Sequence, residues 1–143
     1  MKPPCETIRL GKQARDQLIK IKRNTGIENW NVICRWALCV SLREPTPPPV
    51  VKASSDDGVE MTWKVFGGEN SNYYAALLSN SKLEDRKGAS SLDDSALLHA
   101  HIRRGLGYLA SGSDTRSIEL LVSRWLKSEL KLETPSGDAK PER

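Results

Sequence analysis

Histidine is scarce, phenylalanine occurs once, and no long apolar run exists; these absences set the first limits. The chain has 143 residues and only two histidines, His99 and His101. Residues two apart on a helix diverge by about 200°, so this pair does not form a metal site of the i, i+4 kind. There is no phosphate-binding P-loop and no GxGxxG after a strand; the lone pair Gly67-Gly68 reads as a turn. The acid pairs Asp56-Asp57, Glu84-Asp85 and Asp93-Asp94 sit beside loops or helix starts, where solvation or capping accounts for them. The sequence therefore offers no catalytic constellation, no metal set and no cofactor motif. It is expected to be neither an enzyme nor a cofactor carrier.

Cysteine is almost as uninformative. Three cysteines, Cys5, Cys34 and Cys39, are an odd number, and no secretory h-region precedes them, so a disulfide framework is not expected. Cys34 and Cys39 point in different directions on a helix and read as small buried apolar side chains. No segment is long and apolar enough to span a bilayer, which predicts a soluble, cytoplasmic protein without a membrane partner.

What is present is enough for a core: 38% hydrophobic and 28% charged residues describe a folded domain rather than a disordered chain. The net charge of +4 is mild but uneven. Residues 1–43 carry nine Lys/Arg against Glu6, Asp16 and Glu28, while the other hundred residues carry 13 basic and 15 acidic groups. A basic third on a near-neutral body fits a surface that meets a polyanion, and it also fits a solvated helix face.

Periodicity gives the architecture. Residues 5–10 alternate as a short strand, with Ile8 and Leu10 inward and Thr7 and Arg9 outward. A helix follows over 12–24, with Leu10, Ala14, Leu18 and Ile21 on one stripe, and Thr25-Gly26 ends it. A second helix over 29–43 starts at Asn29 and is apolar nearly all round, interrupted only at Asn31, Arg35 and Ser41. Such a helix needs cover on every side. A sister subunit is expected to supply part of it, at Trp30, Ile33, Trp36, Ala37 and Val40.

The run Glu44-Pro45-Thr46-Pro47-Pro48-Pro49 reads as a stiff extended connector, continued by a polar loop to residue 58. A strand is expected over 59–66 and a helix over 70–86, the latter with Tyr73, Ala76, Leu77 and Asn80 on one side. Another helix runs from 91 to about 105 or 108, with Leu98, Ile102 and Leu106 on one face. A last helix after Asp114 carries Ile118, Leu121, Val122 and Trp125, before a mobile polar tail over 135–143. The expected fold is mainly α and single-domain: a strand-helix-helix unit (1–43), a connector (44–58), and a C-terminal part (59–134) of one short strand and three further helices.

Strand, basic helix, turn and apolar helix is the order of a ribbon-helix-helix unit, in which strands from two subunits pair and enter a groove. Thr7 and Arg9 would then face the groove. The segment Lys20-Ile21-Lys22-Arg23 is a second basic site, suited to phosphates and equally to the negative end of its own helix.

Residues 10–42, with the core Thr25-Gly26-Ile27-Glu28-Asn29-Trp30-Asn31-Val32-Ile33-Cys34-Arg35-Trp36-Ala37-Leu38, resemble the DndE family. Met61-Thr62-Trp63-Lys64-Val65-Phe66-Gly67-Gly68-Glu69 and His101-Ile102-Arg103-Arg104-Gly105-Leu106-Gly107-Tyr108-Leu109 resemble two later blocks of it. The resemblance implies the small subunit of the bacterial DNA phosphorothioation system: a homotetramer that binds duplex DNA, preferably nicked, beside the other modification proteins. A cysteine desulfurase and an iron–sulfur, nucleotide-using protein would do the sulfur chemistry. The family also suggests a basic surface on the first helix, here Lys20, Lys22 and Arg23, with Arg15 and Lys12 beside them. Cys34 is not thereby a sulfur carrier. Arg35 is expected to pair within the chain, with Glu28 or Glu60, rather than with a phosphate. A ribbon-helix-helix regulator and an assembly subunit that does not bind DNA are the competing readings.

Overall fold

The computed structural model of the chain describes residues 2–50, 58–84 and 93–111. The expected helix after Asp114, the tail and most of the polar loop before residue 58 lie outside these residues. Strand β1 (Thr7–Leu10) leads into α1 (Lys12–Thr25) and α2 (Trp30–Leu42). Strand β2 (Val59–Thr62), the short helix α3 (Trp63–Gly67), a 3-10 turn over Gly68–Asn70, α4 (Ser71–Glu84) and α5 (Asp94–Ser111) follow. The class is mainly α, as the periodicity indicates.

The inward stripe forms as expected. Ile8 and Leu18 are fully buried, and Leu10, Ala14 and Ile21 nearly so. Gly26 ends α1 in the left-handed region at φ 79°, where its N–H reaches the Lys22 carbonyl. Thr25 tightens the same turn: its Oγ1 donates to the Ile21 carbonyl at 2.7 Å and accepts from the Ile27 N–H at 3.2 Å. Asn29 occupies the N-cap position of α2, but its side chain makes no capping bond.

The sheet is not the inter-subunit ribbon. β1 pairs antiparallel with β2 of the same chain, in the register Thr7–Thr62, Ile8–Met61, Arg9–Glu60 and Leu10–Val59. β2 is also shorter than the strand expected over 59–66. Thr62 stops it by capping α3: its Oγ1 accepts from the Val65 N–H at 3.1 Å. Trp63 and Phe66 therefore turn into the core as one face of a helical turn, stacked at 5.4 Å, with Tyr74 edge-on to Phe66 at 5.6 Å.

The face expected for α4 also needs correction. Ala75 and Leu78 are buried with Tyr74 packed against the core, while Tyr73 is 62% exposed and Ala76 and Asn80 face outward. In α5, Asp93 caps the start by accepting from the Ala96 N–H at 2.6 Å, and the helix continues past residues 105 and 108 to Ser111. Its buried face includes the expected Leu98, Ile102 and Leu106 and also Leu97, Ala100, His101, Gly105 and Leu109.

The cover for α2 comes largely from α5, its most extensive neighbour, with α3 and α1 adding to it. Ile33, Cys34, Ala37 and Leu38 are fully buried and Val40 nearly so. Of the five residues expected at an oligomer interface, Ile33, Ala37 and Val40 are thus enclosed by their own chain. Trp30 and Trp36 keep part of their surface.

Candidate nucleic-acid interface

α1 presents the basic surface because its apolar stripe is narrow and everything else on it is polar. The buried positions Ala14, Leu18 and Ile21 fix one side against the core. At 100° per residue, Lys12, Arg15, Lys22 and Arg23 then fall with Ile19 inside an arc of roughly 100° on the outer side, a row roughly 16 Å long. All four cations are exposed, and no described carboxylate pairs with them. Lys20 is exposed too, but it lies about 60° beyond Arg23 with Asp16 between them. The sequence cluster Lys20, Lys22, Arg23 is thus divided by the helix. No capping side chain or acidic residue occupies the first turn of α1, while Lys22 and Arg23 sit in the last, where cations suit the helix dipole.

Arg9 lies apart from this row. On the exposed side of β1 its Nε meets the Glu60 carboxylate across the strand pair at 2.8 Å, and this bond raises the guanidinium pKa. Thr7 is half-buried opposite Thr62. A groove of about 310 Å³ opens between Lys22, Asn29, Trp30, Glu60 and Val65, beside the basic row. The Trp30 indole N–H is buried with no acceptor among the described residues.

The remaining polar residues hold the scaffold together. Arg35 finds carbonyls rather than a carboxylate: its Nε donates to the Phe66 carbonyl and its Nη2 to that of Val65 at 3.4 Å, closing the end of α3. Arg104 does the same at the end of α2. It donates to the Ser41 carbonyl at 2.7 Å, the Ser41 Oγ at 2.8 Å and the Thr46 carbonyl at 2.9 Å. With Pro48 buried, the first part of the Pro-rich segment is held against the body rather than extended as a free spacer.

His101 completes this network. Its Nδ1 lies 2.8 Å from the Ser41 Oγ. Arg104 takes one lone pair of the Ser41 hydroxyl, whose proton and second lone pair let it pair with either tautomer of a neutral imidazole. Burial, with Arg104 beside it, pushes the His101 pKa down to about 4. His99 is committed separately. Its Nδ1 donates to the Ser95 carbonyl at 2.7 Å and its Nε2 accepts from the Arg9 N–H at 3.2 Å. Burial is the main force lowering its pKa. Among the described residues no group of three His, Cys, Asp or Glu converges as a metal site would require.

Cys34 is fully buried, and burial pushes its thiol pKa up to about 12. Cys39 and Cys5 are half-buried and raised for the same first reason. None of the three is placed as an activated thiolate. No described helix is long and apolar enough to cross a membrane.

The fold and its surface define a small helical protein that displays a cationic helix, unpaired among the described residues, above a scaffold held by buried and half-buried polar contacts. Residues 7–117 match the family model of the DNA sulphur modification protein DndE, and the chain belongs to this family. Its role accordingly lies in DNA sulfur modification. No curated protein matches the chain.

Proposed function

We propose that this protein is the DNA-binding accessory subunit of the phosphorothioation machinery, holding duplex DNA while partner proteins carry out the sulfur chemistry. The observation that carries the reading is the row of exposed cations Lys12, Arg15, Lys22 and Arg23 on α1, unpaired among the described residues, with Lys20 at its flank. Cations on one helix face meet phosphates whatever the base sequence, so binding is sequence-tolerant and steeply salt-dependent. The preferred duplex is nicked, and the working form is a homotetramer to which α2 contributes Trp30 and Trp36, in keeping with the family resemblance. A ribbon-helix-helix regulator is the weaker reading, because the strand it would need is already paired inside the chain.

The test is a salt titration of binding to nicked, intact and palindromic duplexes. It compares wild type with a Lys20→Ala/Lys22→Ala/Arg23→Ala variant and a Lys12→Ala/Arg15→Ala variant. Both variants are expected to weaken binding to every duplex, with slopes shallower by about 0.9 for each phosphate no longer neutralised. Equal, weak binding by all three proteins overturns the reading in favour of an assembly subunit.

A further inference from the structure

The two edges of the sheet are not alike. In an antiparallel pair, residues opposite each other either exchange both backbone bonds or both point away. The Arg9 N–H leaves the sheet to reach the His99 Nε2, so Arg9 and Glu60 are a pair of the second kind. The Trp63 N–H donates to the Glu6 carbonyl at 2.9 Å, which fixes the same alternation from the other end. The outer edge of β1 is thereby closed by α5. On the outer edge of β2, the Glu60 N–H and carbonyl point away from β1 and have no partner among the described residues.

Glu60 lines the groove of about 310 Å³ together with Asn29 and Trp30 from the start of α2. Asn29 is exposed, and its side chain makes no capping bond. Half-buried Trp30 and Met61, with Val65 54% exposed, give the groove an apolar wall. Glu28 and Glu60 line it as well, which disfavours a phosphate there. A free N–H and carbonyl on one strand residue match another extended backbone, which offers the same two groups in return. A second copy pairing about Glu60 would set two carboxylates directly opposite each other, which is destabilising.

We infer that the outer edge of β2 is a docking site for an extended, uncharged peptide segment of a partner protein, which joins the sheet as a third strand. Backbone bonds to Glu60 hold the segment, and the wall of Trp30, Met61 and Val65 selects an apolar side chain on it. The inference does not rest on the DNA-binding reading and shares only Lys22 with the cation row. Trp30 is common to this groove and the proposed subunit contact, so the measurement is made on the assembled protein.

The test uses the isotope-labelled full chain and a panel of capped hexapeptides with Val, Leu or Phe at alternate positions, each beside a counterpart N-methylated at its pairing amides. Binders are expected in the panel, read as amide shifts at Glu60 and Asn29. N-methylation should weaken them about tenfold, as the loss of backbone bonds requires. Glu60→Pro removes the outward N–H without touching a bond to β1 and should lose binding likewise, while Glu60→Gln binds like wild type. Thermal melts confirm that both variants fold; if Glu60→Pro does not, the N-methylated peptides decide alone. The inference is overturned if no peptide shifts Glu60, or if N-methylated peptides bind as well as their parents. A Glu60 amide already protected from exchange before peptide is added would show a second copy on the edge, which also overturns it.

Discussion

Gly105 of α5 lies so close to Ala37 of α2 that a Cβ there would come within 1.8 Å of the Ala37 carbonyl oxygen. The obstructing atom is backbone, which cannot swing aside as a side chain can. The close crossing of α2 and α5 thus depends on a missing methyl group. Gly107, two residues on, has open space at the same position.

The two glycines should therefore respond oppositely to the same substitution. Alanine is the better helix former by about 1 kcal/mol, so Gly107→Ala is expected to stabilise by up to that amount. Gly105→Ala has to push α2 and α5 apart and should destabilise by about 2 kcal/mol or more despite the same helical gain. Urea unfolding of both variants checks this, and a neutral Gly105→Ala would show the crossing to be loose.

Acid should weaken the fold through His101. Its folded pKa of about 4 lies below the ordinary 6.5, so the unfolded chain takes up the proton first as pH falls. The stability held by the neutral imidazole is complete above about pH 6.5 and drains away towards pH 4. His99 shifts in the same direction. The measurement is the melting midpoint from pH 8 to pH 4 for wild type and His101→Asn. The two curves should converge as pH falls, and parallel curves would remove His101 as the cause.

Arg104 joins the end of α2 to the Thr46 segment, and truncating it strands the buried Ser41 carbonyl and releases the exposed Thr46 carbonyl to water. Arg104→Ala is expected to lose about 2–4 kcal/mol, while Arg103→Gln beside it loses none. Hydrogen exchange should show faster opening around residues 41–48 in Arg104→Ala. Unchanged protection there would mean the segment is held by other contacts.

Glu60 neutralises Arg9 on the exposed side of the sheet. Glu60→Gln should leave the melting midpoint almost unchanged, since exposed pairs contribute little. If the DNA path reaches β1, the freed charge tightens duplex binding several-fold at low salt and not at high salt. Affinity equal to wild type at every salt concentration would place β1 outside that path.

Cys34 should resist iodoacetamide in the folded protein at neutral pH, because its thiol pKa is pushed up to about 12 and its surface is covered. Labelling is expected only in urea. Rapid native labelling of Cys34 would reopen a sulfur-transfer role.

Much of this fold was legible because α1 and α5 carry their apolar residues at clean helical spacing, and the Ala14–Leu18–Ile21 stripe allows one orientation only. α4 was not legible for the opposite reason. In Tyr73-Tyr74-Ala75-Ala76-Leu77-Leu78 each residue type occurs twice in succession, so two faces a residue apart look identical and tertiary packing decides between them. The segment 59–66 is rich in strand formers, and the Thr62 cap, a local hydrogen bond, marks where strand gives way to helix. Arg35 could be assigned to the scaffold from its apolar surroundings, but carbonyls at a helix end leave no charge signal in a sequence. The basic row was legible as composition. The separation of Lys20 from it by Asp16 follows from helix geometry.

The pairing of β1 with β2 also governs the order in which the chain can assemble. Residues 7–10 meet residues 59–62 only after α1, α2 and the connector have closed a loop of nearly fifty residues. Closing such a loop is slow compared with winding the helices inside it. During synthesis α1 and α2 emerge while the first strand still has no neighbour, and it must wait, Ile8 uncovered, for the second half to arrive. A fragment ending at residue 43 would hold two helices and an orphaned edge, so the strand-helix-helix unit is not a detachable module.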